Sequence, residues 1–320
     1  MKIIFSAVLA CITLITSSLS NAAIQIAIVD VDINLNHQAF AGKSVQLMDL
    51  HAGQHCVGRD GIYFMNTLFC LQPSQGRTAG HGQAVLSSAT ADDLAGVQYL
   101  AIDMAPLQEL PQQANWSLVA ATLAQKLGAN LSVHATQKQP LNLTGGTDNE
   151  EEVRLLNNLD HSGHVLVAMV GNKGENLSRR REQDANDARQ NQLDWHPYLT
   201  NSSEHIFLVS GYDPNSGQNF RSFPGNNEII QQRLVSLPDG VTVAWPKNSR
   251  TFGTAHGNAF ITPKLANFFA QVLTQCRFSS LSTAQLLTNN IDHAVDDEGE
   301  AYYFGRGKWH YDNPVDAQCL

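Results

Sequence analysis

Four short stretches of this chain carry side chains suited to acid–base or polar chemistry. The first is Ile28-Val29-Asp30-Val31-Asp32-Ile33, with His37 close behind. The second is Ala79-Gly80-His81-Gly82-Gln83-Ala84-Val85, an imidazole set between small residues. The third is Gly171-Asn172, at the end of an apolar run. The fourth, Gly257-Asn258-Ala259-Phe260-Ile261-Thr262-Pro263, opens a long apolar helical pattern. An Asp at the carboxyl end of a buried strand sits where α/β sheets place their chemistry. A side-chain amide offers a neutral donor to developing negative charge. Taken singly, each stretch also has a plainer reading. Asp30 is equally a strand-end turn, His81 is one of 12 histidines, and Asn172 is a turn residue after a strand.

The elements that must hold these residues read clearly in places. Ala23 to Val31 is apolar on both faces, as a central strand of a parallel sheet is. Val97 to Ala105, Val165 to Asn172, Ile206 to Ser210 and Val241 to Pro246 read as further strands. A helix is expected from His81 onward. Another spans Asn115 to Leu127, with Trp116, Val119, Ala120, Leu123, Ala124 and Leu127 on one side and Gly128 as its cap. Glu150 to Leu159 reads as a polar-faced helix. Leu265, Ala266, Phe268, Phe269, Val272 and Leu273 fall on one broad face of the last long helix. Pro263 stands inside it and has no N–H to return to the carbonyl of Ala259. Residues 41–78 look irregular and read as a stapled surface insertion.

Bulk properties narrow the function. A chain of 320 residues, 43% hydrophobic, suits one large globular domain or two small ones. A formal charge of −9 argues against a nucleic-acid role, and Arg179-Arg180-Arg181 reads as a solvated face or loop. Residues 1–22 read as a secretory signal, with Lys2, an apolar run from Ile3 to Ile15, and Ser20-Asn21-Ala22 at the cleavage site. Residues 23–320 then form the expected mature domain, with a polar and aromatic tail over 289–320. No stretch is long enough for a transmembrane segment, so a secreted or periplasmic location is expected. Removing the signal leaves Cys56, Cys70, Cys276 and Cys319. Three pairings are possible, and Cys56–Cys70 with Cys276–Cys319 is preferred because both are local. The spacings are not those of a Cys-ligated metal site.

The four stretches resemble, in order, the motifs of the subtilisin-like serine proteases (subtilases). Asp30 matches the Asp motif, although Val31 and Asp32 replace its hydroxyl residue and Gly. His81-Gly82-Gln83 matches the His motif, with Gln83 for Thr. Val165 to Asn172 resembles the strand that ends in the oxyanion-donating Asn. Gly257, Thr262 and Pro263 match the nucleophile helix, whose serine position is Ala259. Leu141-Asn142-Leu143-Thr144-Gly145-Gly146 resembles the strand that walls the substrate cleft, so Leu143, Thr144, Gly145 and Gly146 are expected to bind a peptide backbone. The likeness spans roughly residues 24–275. It implies an α/β fold of three layers, a mostly parallel central sheet with helices on both faces. Asp30 would orient His81, His81 would serve as base, Asn172 would receive the oxyanion, and a serine would attack a peptide carbonyl. Ala259 cannot attack, which makes the chain an expected peptide-binding pseudoprotease. An active endopeptidase seen as an inactive variant is the alternative, and an unrelated α/β binding domain is a third. The departures at Val31, Asp32, Gln83 and Asn258 weaken the expected support of the site. The strand following the signal leaves no room for the usual prodomain, a plan similar to the exported A subunit of bacterial subtilase cytotoxins. No cofactor is implied, no calcium loop is recognisable, and any partner subunit is unidentified.

Overall fold

The structure is a computed structural model. It describes residues 23–64, 66–74, 76, 78–107, 116–135, 150–172, 174, 176–178, 203–219, 221–296, 300–311 and 315–320. The signal stretch 1–22 and the cleft wall Leu143, Thr144, Gly145 and Gly146 lie outside the described residues.

The strands are β1 (Ile24–Asp30), β2 (Val45–Ala52), β3 (Gly61–Phe64), β4 (Thr67–Pro73), β5 (Val97–Asp103), β6 (Leu131–His134), β7 (Val165–Met169), β8 (Ile206–Tyr212), β9 (Leu234–Pro238), β10 (Val241–Ala244) and β11 (Phe252–Ala255). The helices are α1 (His81–Thr90), α2 (Trp116–Lys126), α3 (Glu150–His161), α4 (Glu228–Gln231), α5 (Asn258–Gln275), α6 (Thr283–Ala294) and α7 (Ala301–Phe304).

Nine strands form one sheet in the order β3-β4-β2-β5-β1-β6-β7-β8-β9. From β2 to β9 every neighbouring pair is parallel, and β4 and β3 add an antiparallel edge. Helices cover both faces. One layer packs α1 against α5, and the other packs α2 against α3. Because helices sit on both sides, the central strands must be apolar throughout. Val165 to Met169 and Ile206 to Tyr212 are buried at every position. β1 lies where the order reverses, with β5 on one side and β6 on the other. Such a reversal leaves a crevice at the carboxyl ends of the strands, and Asp30 ends β1 there.

The last long helix is buried nearly all round, as an element packed against a sheet and a second helix should be. Phe269 meets Phe207 of β8 at 4.5 Å between ring centroids, and Phe268 meets Trp309 at 4.9 Å. The segment from Gly305 to Trp309 runs along β9, with Arg306 N–H on the Leu234 carbonyl at 2.8 Å and Trp309 N–H on the Ser236 carbonyl at 2.8 Å. Cys276–Cys319 and Cys56–Cys70 are both disulfides, with Cα–Cα distances of 5.0 and 5.6 Å.

Three expectations need correction. Residues 41–78 are not an irregular insertion, since they supply β2 to the parallel sheet and the β3–β4 hairpin to its edge. Leu127 is 53% exposed, because α2 ends at Lys126 and Gly128 turns the chain away at φ +93°. The strand expected over Ile206 to Ser210 runs two residues further, through Tyr212.

Candidate functional site

The end of β1 and the start of α1 are zipped together by backbone bonds. Gly80 N–H donates to the Asp32 carbonyl at 2.9 Å, and Gly82 N–H to the Val31 carbonyl at 2.8 Å. Both glycines are needed for the approach. A methyl group at 82 would lie 2.6 Å from Ile33 Cγ1 and from the Val31 carbonyl oxygen; one at 80 would lie 2.5 Å from Asp32 Cβ. Asp32 itself adopts φ +59°, a left-handed conformation that Asp tolerates better than most residues. The loop is anchored from β5. Asp103, in register with Asp30, accepts from Asp32 N–H at 3.1 Å, Ile33 N–H at 3.0 Å and Ala105 N–H at 2.8 Å. Burial pushes the Asp103 carboxyl above its ordinary range, against the pull of these N–H donors.

This frame brings His81 onto Asp30. His81 Nδ1 lies 2.9 and 3.0 Å from the two carboxylate oxygens of Asp30. Asp30 is fully buried and also accepts from the Val31 N–H at 2.7 Å. A carboxylate has no proton to give, so Nδ1 is the donor and Nε2 is the ring's other face. Burial works to lower the His81 pKa, but the charge and hydrogen bond of Asp30, with the charge of Asp32, outweigh it and raise the pKa above 6.5. The substitutions at Val31 and Asp32 therefore do not leave Asp30 unsupported. The backbone and Asp103 do that work.

Asn172 lies just beyond β7. Its Oδ1 accepts from the Asn258 N–H at 2.8 Å, which leaves Nδ2 as the opposite end of the amide. The Asn258 side chain in turn donates to the Gly171 carbonyl. Asn258 is thus a second clamp on the Gly171-Asn172 turn rather than a loss.

Ala259 sits in the first turn of α5, 2% exposed. On one side its neighbour Asn258 is bound to Asn172. On the other, the Phe260 ring lies 5.1 Å from the His81 ring. Ala259 thus lies in the chain between a residue bonded to Asn172 and one whose ring meets His81. Thr262 Oγ1 donates to the Asn258 carbonyl at 2.6 Å, and Ser88 Oγ of α1 donates to the Phe260 carbonyl at 2.6 Å. Pro263 removes the N–H that would have met the Ala259 carbonyl, and the two side-chain donors reach the carbonyls on either side of it. An open cleft of about 400 Å³ is lined by Asp213, Ser216, Gln218, Asn219, Asp239 and His256, the last of these adjoining Gly257 in the chain. Among the described residues no cluster of three or more His, Cys, Asp or Glu suits a metal ion.

Of the four positions expected together, Asp30 and His81 touch directly, and Ala259 is tied to His81 and to Asn172 only through its chain neighbours Phe260 and Asn258. Sequence reasoning missed Asp103, Asp239 and Arg221. Asp103 had a signal, since it ends an apolar strand just as Asp30 does. Asp239 and Arg221 had none, as they lie in turns far from the motifs.

No protein-family model and no curated protein matches the chain. Solved structures do. The prenylagaramide maturation protease PagA superposes with a TM-score of 0.61 at 16% identity, over 92% of this chain and 93% of that one. A lanthipeptide protease gives 0.63 at 15% identity, over 92% and 89%. The nisin leader peptidase NisP from Lactococcus lactis gives 0.63 at 15% identity, over 93% and 90%. The fold is that of the subtilisin-like serine proteases.

Proposed function

We propose that this chain is an exported subtilase homologue that holds an extended polypeptide segment at the Asp30–His81–Asn172–Ala259 pocket without cutting it through a covalent intermediate. The solved relatives are peptide-processing proteases by name, and a peptide is the ligand this fold's crevice suits. One observation carries the reading. The buried Asp30 keeps its bidentate contact with His81, while Ala259, whose neighbours Asn258 and Phe260 meet Asn172 and His81, has no nucleophilic atom. His81 can accept a proton and Asn172 can donate to a carbonyl oxygen, yet nothing attacks the carbon. In the proposed arrangement residues 23–320 form one domain after a signal peptide, and Leu143 to Gly146 wall the cleft. Two disulfides suit an oxidising compartment, and no helix among the described residues is long and apolar enough to cross a membrane. An active endopeptidase or a toxin A subunit would each need a hydroxyl or thiol where Ala259 stands.

The test is selection of a random peptide library on the purified chain, followed by titration of an enriched peptide against labelled imidazoles. Saturable movement of the His81 signals supports the reading. Failure to enrich any peptide, or a binder that leaves His81 unmoved, contradicts it.

A further inference from the structure

Asp239 lies in the turn between β9 and β10 and is 5% exposed. Its Oδ1 accepts from the Gly257 N–H at 2.7 Å and from the Gly240 N–H at 3.0 Å. Its Oδ2 pairs with Arg221 Nη2 at 2.5 Å, and His256 Nδ1 stands 3.7 Å away. Arg221 Nη1 reaches the backbone carbonyl of Asn172 at 3.4 Å. A buried carboxylate thus touches Gly257 directly and, through Arg221, the backbone carbonyl of Asn172, the residue that carries the pocket's amide.

Gly257 is the point of leverage. It holds φ +133° and ψ 151°, a combination that side-chain-bearing residues avoid. A methyl group there would lie 3.5 Å from both Nδ2 and Oδ1 of Asn172. This conformation aims the next N–H, that of Asn258, at Asn172 Oδ1. An amide can present either end to a ligand. Which end faces the pocket is decided by the donor that occupies the other.

We infer that Asp239 is a positioning residue for the Asn172 amide. It fixes the Gly257 N–H, which directs the Asn258 N–H onto Oδ1, which leaves Nδ2 for a carbonyl oxygen of the bound chain. The inference deepens the peptide-binding reading and its ligand arm rests on it. The bare alternative is that Asp239 and Arg221 form a structural ion pair and nothing more. The two differ in what matters at position 239: an acceptor for Gly257, or a charge for Arg221.

The experiment compares Asp239→Ala, Asp239→Ser and Asp239→Asn in the full chain. Serine draws its oxygen one bond back from the Gly257 N–H and gives a second variant without the carboxylate. Asparagine keeps an acceptor and loses the charge. The readout is the Asn172 side-chain amide signal pair, with peptide affinity alongside. The signals are expected to move in the Ala and Ser variants and return to their wild-type positions in the Asn variant. Peptide affinity should fall about tenfold in the first two, the worth of one hydrogen bond, and about twofold or less in the third. Unmoved Asn172 signals in either folded Ala or Ser variant overturn the inference. So does movement in all three, which would assign the effect to charge. If the wild-type chain binds no peptide, the binding reading fails while the amide signals still decide the role of Asp239.

Discussion

His81 Nδ1 sits almost equidistant from both oxygens of Asp30, at 2.9 and 3.0 Å. The carboxylate is fully buried, whereas the imidazole keeps 38% of its side chain exposed. One partner is fixed and the other faces the crevice, the arrangement a proton-handling pair requires.

Protonation of His81 should follow Asp30. The raised pKa means that protonated His81 stabilises the fold fully below 6.5, and that this contribution is lost as pH rises through the folded pKa. Asp30→Asn should therefore lower the His81 pKa and remove that alkaline loss. Imidazole signals followed through a pH titration check the shift, and urea unfolding on either side of neutrality checks the linkage. An unchanged His81 titration in the variant contradicts the pairing.

Acid should act elsewhere in the molecule. Burial lowers His134 to about 3 and His164 to about 4, with His164 held between the Ala129 carbonyl and Ser132 Oγ. Histidines kept neutral in the fold stabilise it above 6.5, and that stability is lost as pH falls toward their folded pKa values. The unfolding free energy should decline between pH 6.5 and 4, by up to about 1.4 kcal/mol per pH unit for each histidine. His164→Gln should flatten this slope. A slope unaltered by the substitution would place the acid sensitivity in other groups.

Gly82→Ala should be costly for its single methyl group. The new carbon would meet Ile33 and the Val31 carbonyl at 2.6 Å, and backbone cannot swing aside as a flexible side chain can. Overpacking of this kind costs about 1–3 kcal/mol. The loss should come with displaced His81 signals, because Gly82 is what lets α1 reach β1. A variant of wild-type stability with His81 unmoved would contradict the packing described.

Cys276–Cys319 closes a loop of 43 residues, for which chain entropy gives about 4 kcal/mol. Replacing both cysteines by alanine should lower the thermal midpoint and loosen the Gly305–Trp309 segment on β9. Hydrogen exchange at the Trp309 and Arg306 amides reads the second effect. Protection there as in the wild type would show that the β9 contacts alone hold the segment.

Much of this was legible in the sequence, for a physical reason. β1, β7 and β8 are buried on both faces, so their apolar runs stand out. The helix after Gly257 carries its period openly. β2 did not, because Gln46, Asp49 and His51 interrupt a strand near the sheet's edge. β9 and β11 were missed, the one as short as five residues and the other as four with an interior glycine. The polar frame was the least visible part. Asp103 acts on residues 70 and 71 positions away, and Asp239 on Gly257 and Arg221, each 18 positions away across a turn. Such partners leave no local pattern. Asn258 read as a departure from a motif, and only its bond to the Gly171 carbonyl reveals a function for the amide.

The central claim is that Asp30, His81, Asn172 and residue 259 form one pocket complete except for a nucleophile. Labelling by a fluorophosphonate tests it most directly, read by intact mass on the wild type, on Ala259→Ser, and on Ala259→Ser combined with His81→Ala. The account predicts no labelling of the wild type, slow stoichiometric labelling of Ala259→Ser, and loss of that labelling when His81 is also replaced. Labelling of the wild type, or an Ala259→Ser variant that folds and stays unlabelled, would contradict it.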